Sequence, residues 1–481
     1  MTPADSPRAK WLALALLAAA QFVVVLDASI VNVALPSIGK DLDFSQDNLS
    51  WVVNAYTLFF GGFLLLGGRL ADRLGRRRMF IAGMILFALA SLAGGLANSE
   101  IQLIIARAIQ GLGAALVSPA ALSIVTTTFA EGKERNTALG VWGAVAGSGG
   151  AAGVLLGGVL TKYAGWEWVL FVNTPIGLLA AFLAPRILME SRDTRAKSFD
   201  AVGAISVTAG LALLVYTLVD ANTSGWGSGK TLGLGIAAIV LLGFFYVWER
   251  RGTEHPLVPF SIFRSRTLRG SNIAGLLIGA SLFSMFFFIS LYLQQVLHYD
   301  ALKAGFSYLP LALVIIFSAG AASAMVTKIG FKTTLLLGLS LITVGLVWFS
   351  RVDADGTYVG DVLFPSIIAA MGLGFSFVPV TIGAVMGVSD DDSGLASGLI
   401  NTSQQVGGAL GLAILVAVAN GTTGDNVQDP VALTAGFQDA FLVGAAFSAL
   451  GFVAAALLIS GRDSRAHAEA AGSGEAAPVA V

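Results

Sequence analysis

Fourteen apolar runs, each about 20 residues long and almost free of charge, recur along this chain of 481 residues. A bilayer offers no water to free backbone groups, so a run of that length reads as one membrane-crossing helix. The approximate spans are 11–34, 50–68, 79–97, 101–125, 137–159, 168–188, 202–219, 232–248, 270–292, 304–326, 334–350, 362–387, 396–419 and 435–460. Charge is too scarce for a soluble alternative. Only 12% of the residues are Asp, Glu, Lys or Arg, about half the share of a soluble domain. A soluble chain of this size would need a charged skin around each of two or three domains. The fold class is therefore all-α and integral to a membrane.

Other classes fall away on the same reading. The absence of cysteine removes disulfides, thiolate nucleophiles and cysteine-bound metals, and the formal charge of −1 gives no basic excess for nucleic acid. No cofactor and no metal site is expected. Arg8 and Lys10 ahead of an apolar run ending near Ala20 imitate a signal peptide. The run continues to Leu35, too long for a signal h-region, and thirteen more spans follow.

Orientation follows from Lys and Arg. With the N-terminus inside, 22 of the 28 basic residues fall on the cytoplasmic side and five outside, namely Lys40, Lys162, Lys230, Lys303 and Arg351. Arg107 lies within a helix. Both termini are thus expected in the cytoplasm of a multi-pass protein of a bacterial inner membrane. The segment 461–481, rich in Ala, Gly and Glu, reads as a disordered cytoplasmic tail.

The chain repeats itself weakly. Asp72-Arg73-Leu74-Gly75-Arg76-Arg77 joins the second and third spans, and Thr327-Lys328-Ile329-Gly330-Phe331-Lys332 joins the tenth and eleventh, 255 residues later. The fifth span carries Gly149, Gly153 and Gly157; the thirteenth carries Gly394, Gly398, Gly407 and Gly411. Glycines four apart share one helix face and let backbones approach closely. This predicts two six-helix halves, 1–188 and 270–460, with two extra helices in the linker 189–269. Parallel halves around a midplane site are a transporter architecture.

Six motifs in order resemble the Major Facilitator Superfamily, specifically its fourteen-helix drug:proton antiporters. They are Leu26-Asp27-x-x-Ile30-Val31-Asn32-Val33-Ala34-Leu35-Pro36, Trp51-Val52-Val53-Asn54-Ala55-Tyr56, the loop from Gly68 to Arg78, Arg107-Ala108-Ile109-Gln110-Gly111, Trp166-Glu167-Trp168 running to Asn173-Thr174-Pro175, and Ala396-Ser397-Gly398 running to Gln404-Gln405. The resemblance implies a major facilitator fold of two six-helix bundles plus two extra helices. It also implies a cytoplasmic gate of Gly68, Asp72, Arg73, Gly75 and Arg76 that locks the halves together when the protein faces outward. The antiporter motif of the fifth helix corresponds to Gly149, Gly153, Gly157 and Gly158, with Val154 in place of the usual proline. Any kink there must come from glycine. Glu167 stands where the family usually has a basic residue.

Asp27 is the one carboxylate deep inside a span, and Arg107 the one base so placed. Each lies eight residues from the outer end of its helix, about 12 Å down, so an ion pair is geometrically possible. Burial favours the neutral acid and a nearby guanidinium favours the carboxylate. A conformational change that moves Arg107 would convert Asp27 from proton acceptor to donor; a static structural ion pair is the alternative. Candidate substrate contacts are Asn32, Asn54, Tyr56, Trp142, Phe286, Tyr292, Gln295, Asn401 and Gln405, with Gln21 and Phe375 beside them. One carboxylate among aromatics suits small amphiphilic molecules, neutral, zwitterionic or singly charged. Gly225-Trp226-Gly227-Ser228-Gly229-Lys230-Thr231 imitates a phosphate-binding loop, but it is one residue short and no strand precedes it. The expectation is a non-enzymatic, proton-coupled exporter working as a monomer, its partners being substrate, protons and lipid. A proton symporter importing a metabolite is the nearest alternative, and a non-transporting receptor is a more distant one.

Overall fold

The computed structural model describes residues 7–44, 49, 51–192, 200–253, 256–386, 388, 392–424, 426 and 429–473. Fourteen of its helices are long and apolar enough to cross a membrane. In chain order the long helices are α1 (Pro7–Asp41), α2 (Trp51–Leu74), α3 (Arg76–Gly95), α4 (Glu100–Thr128), α5 (Lys133–Tyr163), α6 (Asn173–Ile187), α7 (Ala201–Ser224) and α8 (Gly229–Arg251). They continue as α9 (Arg266–Leu291), α10 (Leu309–Ile329), α11 (Phe331–Phe349), α12 (Phe364–Val385), α13 (Ser393–Thr423) and α14 (Pro430–Leu458). A shorter α15 (Gly461–Ser473) follows.

The outward faces are as apolar as the buried ones. On α8, Ile236, Ile239 and Val240 are more than 60% exposed, the pattern of a helix solvated by lipid. Local signals set several ends. Ser99 caps α4 by accepting from the Gln102 N–H, and Asp200 caps α7 by accepting from Gly203 N–H. A π-helical turn, Tyr292–Val296, extends α9, and another, Tyr358–Leu363, leads into α12.

Two compact units emerge from the packing. The first comprises residues 1–130, 160–265 and 387–402; the second comprises 131–159, 266–386 and 403–481. Most of α5 therefore groups with the later helices, and the start of α13 with the earlier ones, unlike a division at 188 and 270. Small residues account for both placements. Gly140 and Gly143 bring α5 against Ser323 and Val378, and Gly305 faces the Leu155 backbone. Gly394 and Gly398 bring α13 against Asp72 and Leu64. Among the described residues α5 is one continuous helix through Val154.

One expectation needs correction. The tail is not disordered over 461–473: it forms α15, with Ser464 and His467 buried. Ser464 Oγ accepts the Lys332 N–H at 3.0 Å, and His467 Nε2 meets Asn136 Oδ1 at 2.9 Å. Composition gave no sign of this because the helix is held by docking and has little hydrophobicity of its own. Residues 474–481 lie outside the described residues.

Candidate functional site

The first unit encloses a polar cluster assembled by five helices. Asp27 on α1 and Arg107 on α4 are both completely buried. Arg107 Nη1 donates to Asp27 Oδ2 at 2.6 Å. Two further donors reach the other carboxylate oxygen: Gln110 Nε2 at 2.7 Å and Asn173 Nδ2, from the first turn of α6, at 2.6 Å. Gln110 Nε2 also meets Ser91 Oγ of α3 at 2.7 Å, and the serine donates onward to the Phe87 carbonyl. Arg107 Nε donates to the Val52 carbonyl of α2 at 2.9 Å, and its guanidinium lies 4.4 Å from the Tyr56 ring centroid. Charge-assisted bonds of this length are the strong ones. The arrangement holds a carboxylate, and each of its three donors sits on a different part of the bundle or a different turn of α4.

Close backbone packing makes room for it. A Cβ on Gly111 would press on the Tyr56 carbonyl, and one on Gly113 on the Phe87 N–H. Gly111, which closes the Arg107 motif, and Gly113 just beyond it thus bring α2 and α3 against α4 at the level of the cluster.

A second cluster lies at the α2–α3 turn. Asp72 is buried and accepts four bonds: from Arg76 Nη2 at 2.9 Å and Nε at 3.3 Å, and from the Gly394 and Leu395 N–H groups at 2.9 Å each. Those two are unpaired donors of the first turn of α13, where a negative charge is stabilised. Gly68 faces Gly394 so closely that any side chain would collide with its carbonyl. Gly75 adopts φ 113°, a left-handed conformation costly for other residues. Arg73 is half-buried beside them. Ser123 and Ser393 add a buried hydroxyl pair at 2.7 Å between α4 and α13.

The structure thus brings Asp27 together with Arg107, and Asp72 together with Gly68, Gly75 and Arg76. The substrate candidates are divided between the two units. Tyr56 is buried and spends its hydroxyl on the Val24 carbonyl at 3.1 Å. Tyr292, in the π turn, donates to the Asp353 carbonyl at 2.6 Å, and Phe286 stacks on Tyr308. Trp142, Gln21 and Phe375 are buried; Asn54 and Gln405 are half-buried. Asn401 donates to the Ser397 carbonyl of its own helix, and Asn32 and Gln295 are exposed. Gly149, Gly153, Gly157 and Gly158 are buried along α5. Sequence reasoning quoted Gln110 and Asn173 within motifs without giving them a role at the site, and passed over Ser91. Gln110 was readable, three residues from Arg107 and so on its face.

The family model described as the Major Facilitator Superfamily matches residues 17–412. The chain is a member of that superfamily. Several relatives are named for antibiotic export or resistance. The cephamycin export protein CmcT of Amycolatopsis lactamdurans is 41% identical over 434 residues, covering 89% of this chain and 88% of that protein. The puromycin resistance protein pur8 of Streptomyces alboniger is 39% identical, over 91% and 88%. The tetracenomycin C resistance and export protein of Streptomyces glaucescens is 35% identical, over 89% and 79%. The human organic anion transporter MFSD10 (TETRAN) superposes with a TM-score of 0.67 over 94% of this chain and all of that one. At 16% identity that likeness speaks for the fold. This member of the superfamily is a multi-pass membrane transporter with fourteen candidate spans.

Proposed function

We propose that this transporter exports antibiotic-like amphiphilic molecules in exchange for protons, with Asp27 as the coupling carboxylate. One observation carries the coupling step: a fully buried carboxylate held by three side-chain donors from two other helices. An intramembrane charge is costly enough that such a site defaults to function. When Asp27 is ionised, Arg107, Gln110 and Asn173 hold it; when it takes a proton, the charge attraction to Arg107 lapses and the helices bearing the donors are free to shift. The released Arg107 remains bonded to the Val52 carbonyl, which keeps the cation from wandering. The export direction and substrate class are supported by relatives named for the export of cephamycin and tetracenomycin C and for resistance to puromycin.

Both termini face the cytoplasm in this reading, on the strength of the basic-residue distribution. Asp72 then ties the start of α13 to the α2–α3 turn on the cytoplasmic side, and its release opens that side. One proton entering down 100 mV supplies roughly 2.3 kcal/mol, a concentration ratio of about fortyfold.

Proteoliposomes with an imposed pH gradient and a pH-sensitive dye test the reading. A cephamycin, puromycin or a polyketide antibiotic should dissipate the gradient in wild type and leave it intact in Asp27→Asn. Equal behaviour in the two proteins would make Asp27 structural, and uptake of compound in the direction of proton flow would favour the symporter.

A further inference from the structure

The two helices inserted between the repeats, α7 and α8, make a specific connection to the α2–α3 end of the first unit. Its anchor is Glu249, 5% exposed and near the end of α8. The Glu249 carboxylate accepts the Leu257 N–H at 3.2 Å and the Val258 N–H at 3.0 Å. Both of those residues are buried, so the chain leaving α8 is folded back and held. Asp200 stabilises the same corner from α7. It caps that helix through Gly203 N–H and accepts the Trp248 indole N–H with both oxygens, at 3.0 and 2.9 Å. Gly203 sits so close to the Glu249 carboxylate that a side chain there would displace it.

The held segment reaches the gate through one residue. Arg69, one turn before Asp72 on α2, donates Nη2 to the Pro256 carbonyl at 3.3 Å and Nη1 to Asp392 Oδ1 at 3.3 Å. Asp392 immediately precedes α13, whose first N–H groups Asp72 holds. Arg69 is 19% exposed and Asp392 34% exposed, so the pair is partly shielded and oriented. A guanidinium carries its donors in its plane on separate nitrogens; here Nη2 reads a carbonyl from the inserted hairpin and Nη1 a carboxylate just ahead of α13.

We propose that Glu249 is a positioning residue for the cytoplasmic gate: by holding the 256–258 turn it aims Arg69 at Asp392, so that the inserted hairpin helps lock the start of α13. The hairpin is thereby part of the gating machinery as well as a spacer between repeats. The inference rests on the transport reading above for what the gate does. Its geometry is independent of the coupling ion and of the substrate.

The chain has no cysteine, so Ser393→Cys supplies a single thiol at a buried position beside Ser123. The probe is a charged, membrane-impermeant maleimide added to inside-out vesicles. Glu249→Ala and Arg69→Ala are each expected to speed labelling about fivefold, the scale of one coupled polar contact. The double variant should label no faster than either single one. Glu249→Gln, which retains one acceptor, should fall between and serves in place of the alanine variant if that one does not accumulate. Unchanged labelling in the Glu249 variants would overturn the proposal. So would an equal acceleration by Glu249→Ala with Arg69 present or absent, because Glu249 would then act by another route. Labelling from the opposite membrane face alone would contradict the orientation and leave the Glu249–Arg69 dependence to be read as before. A failure of proton coupling would not alter these rates.

Discussion

The α2–α3 and α10–α11 turns are built on one plan and finished in two chemistries. Each pivots on a glycine with positive φ, 113° at Gly75 and 85° at Gly330. In each, the N–H two residues beyond the glycine is taken by an oxygen from beyond the sixth span of its repeat. Arg77 N–H donates to Glu190 Oε1 at 3.1 Å, and Lys332 N–H to Ser464 Oγ at 3.0 Å. The first turn then adds Asp72 and Arg76, a buried ion pair that also grips the N-terminus of α13. The second pairs neutral side chains and leaves its cation on carbonyls: Asn136 donates to Thr327 Oγ1 at 3.2 Å, His467 joins Asn136, and Lys332 Nζ donates to the Ala456 and Ile459 carbonyls at 2.7 Å each. The shared glycine and capping oxygen are requirements of the turn. The charges are an addition, and under the proposed gating role they would make the contact strong yet releasable, since an ion pair is weakened by a single proton or a small displacement.

The contrast makes a first prediction, with the largest effect. Asp72→Ala leaves Arg76, 3% exposed, without its carboxylate and should lower stability by about 3–5 kcal/mol. Asn136→Ala at the neutral turn removes a weaker set of bonds and should cost about 1–3 kcal/mol. Thermal unfolding of the purified variants compares them. Equal losses would mean that charge distinguishes the turns in name only.

Alanine at the two glycines sharpens the shared part of the plan. Each substitution meets the left-handed penalty of about 1–2 kcal/mol. Gly75→Ala additionally meets only side-chain atoms of Glu190, whereas Gly330→Ala meets the Ser464 backbone as well as its hydroxyl. Gly330→Ala should therefore show the lower melting temperature of the two. The reverse order would mean that Glu190 is held more rigidly than its side-chain contact suggests.

The smallest effect is a pH dependence of the neutral turn. Burial, with the positive charge of Arg135 adding to it, pushes the His467 imidazole down to about 4. Its Nδ1 has no partner among the described residues, so a second proton there would find no acceptor. A base with a depressed folded pKa contributes stability that is complete above the unfolded value, about 6.5. That contribution shrinks as pH falls towards the folded value, by about 1 kcal/mol at pH near 5.5. The melting temperature of wild type should fall over this interval more than that of His467→Gln. Parallel curves would show that α15 docks without regard to the imidazole.

Much of this molecule was legible in its residues, and the limits have physical causes. The fourteen spans stand out because lipid tolerates nothing else of that length and composition. Asp27 and Arg107 could be matched by depth because each is the one charge deep within its span and the rise of a helix is known. Asn173 and Ser91 carry no such marker: small polar groups are common in helices, and their partners are set by packing that sequence alone does not fix. Arg69 was hidden among arginines that orientation already explains, and its partner Asp392 lies some 320 residues away. The same reason hides α15, whose buried Ser464 and His467 sit in an Ala- and Glu-rich segment. Tyr56, by contrast, was found for a different role: its motif placed it near the chemistry, where it packs on Arg107.

The most direct test of the coupling claim is proton release on substrate binding, measured in detergent with lightly buffered protein and a pH indicator. Across a series of starting pH values, adding a transported antibiotic to wild type should release protons in proportion to occupancy. Asp27→Asn, shown to bind the same compound by fluorescence, should release none. Equal release from both proteins would contradict the account, since the exchanged proton would then reside elsewhere.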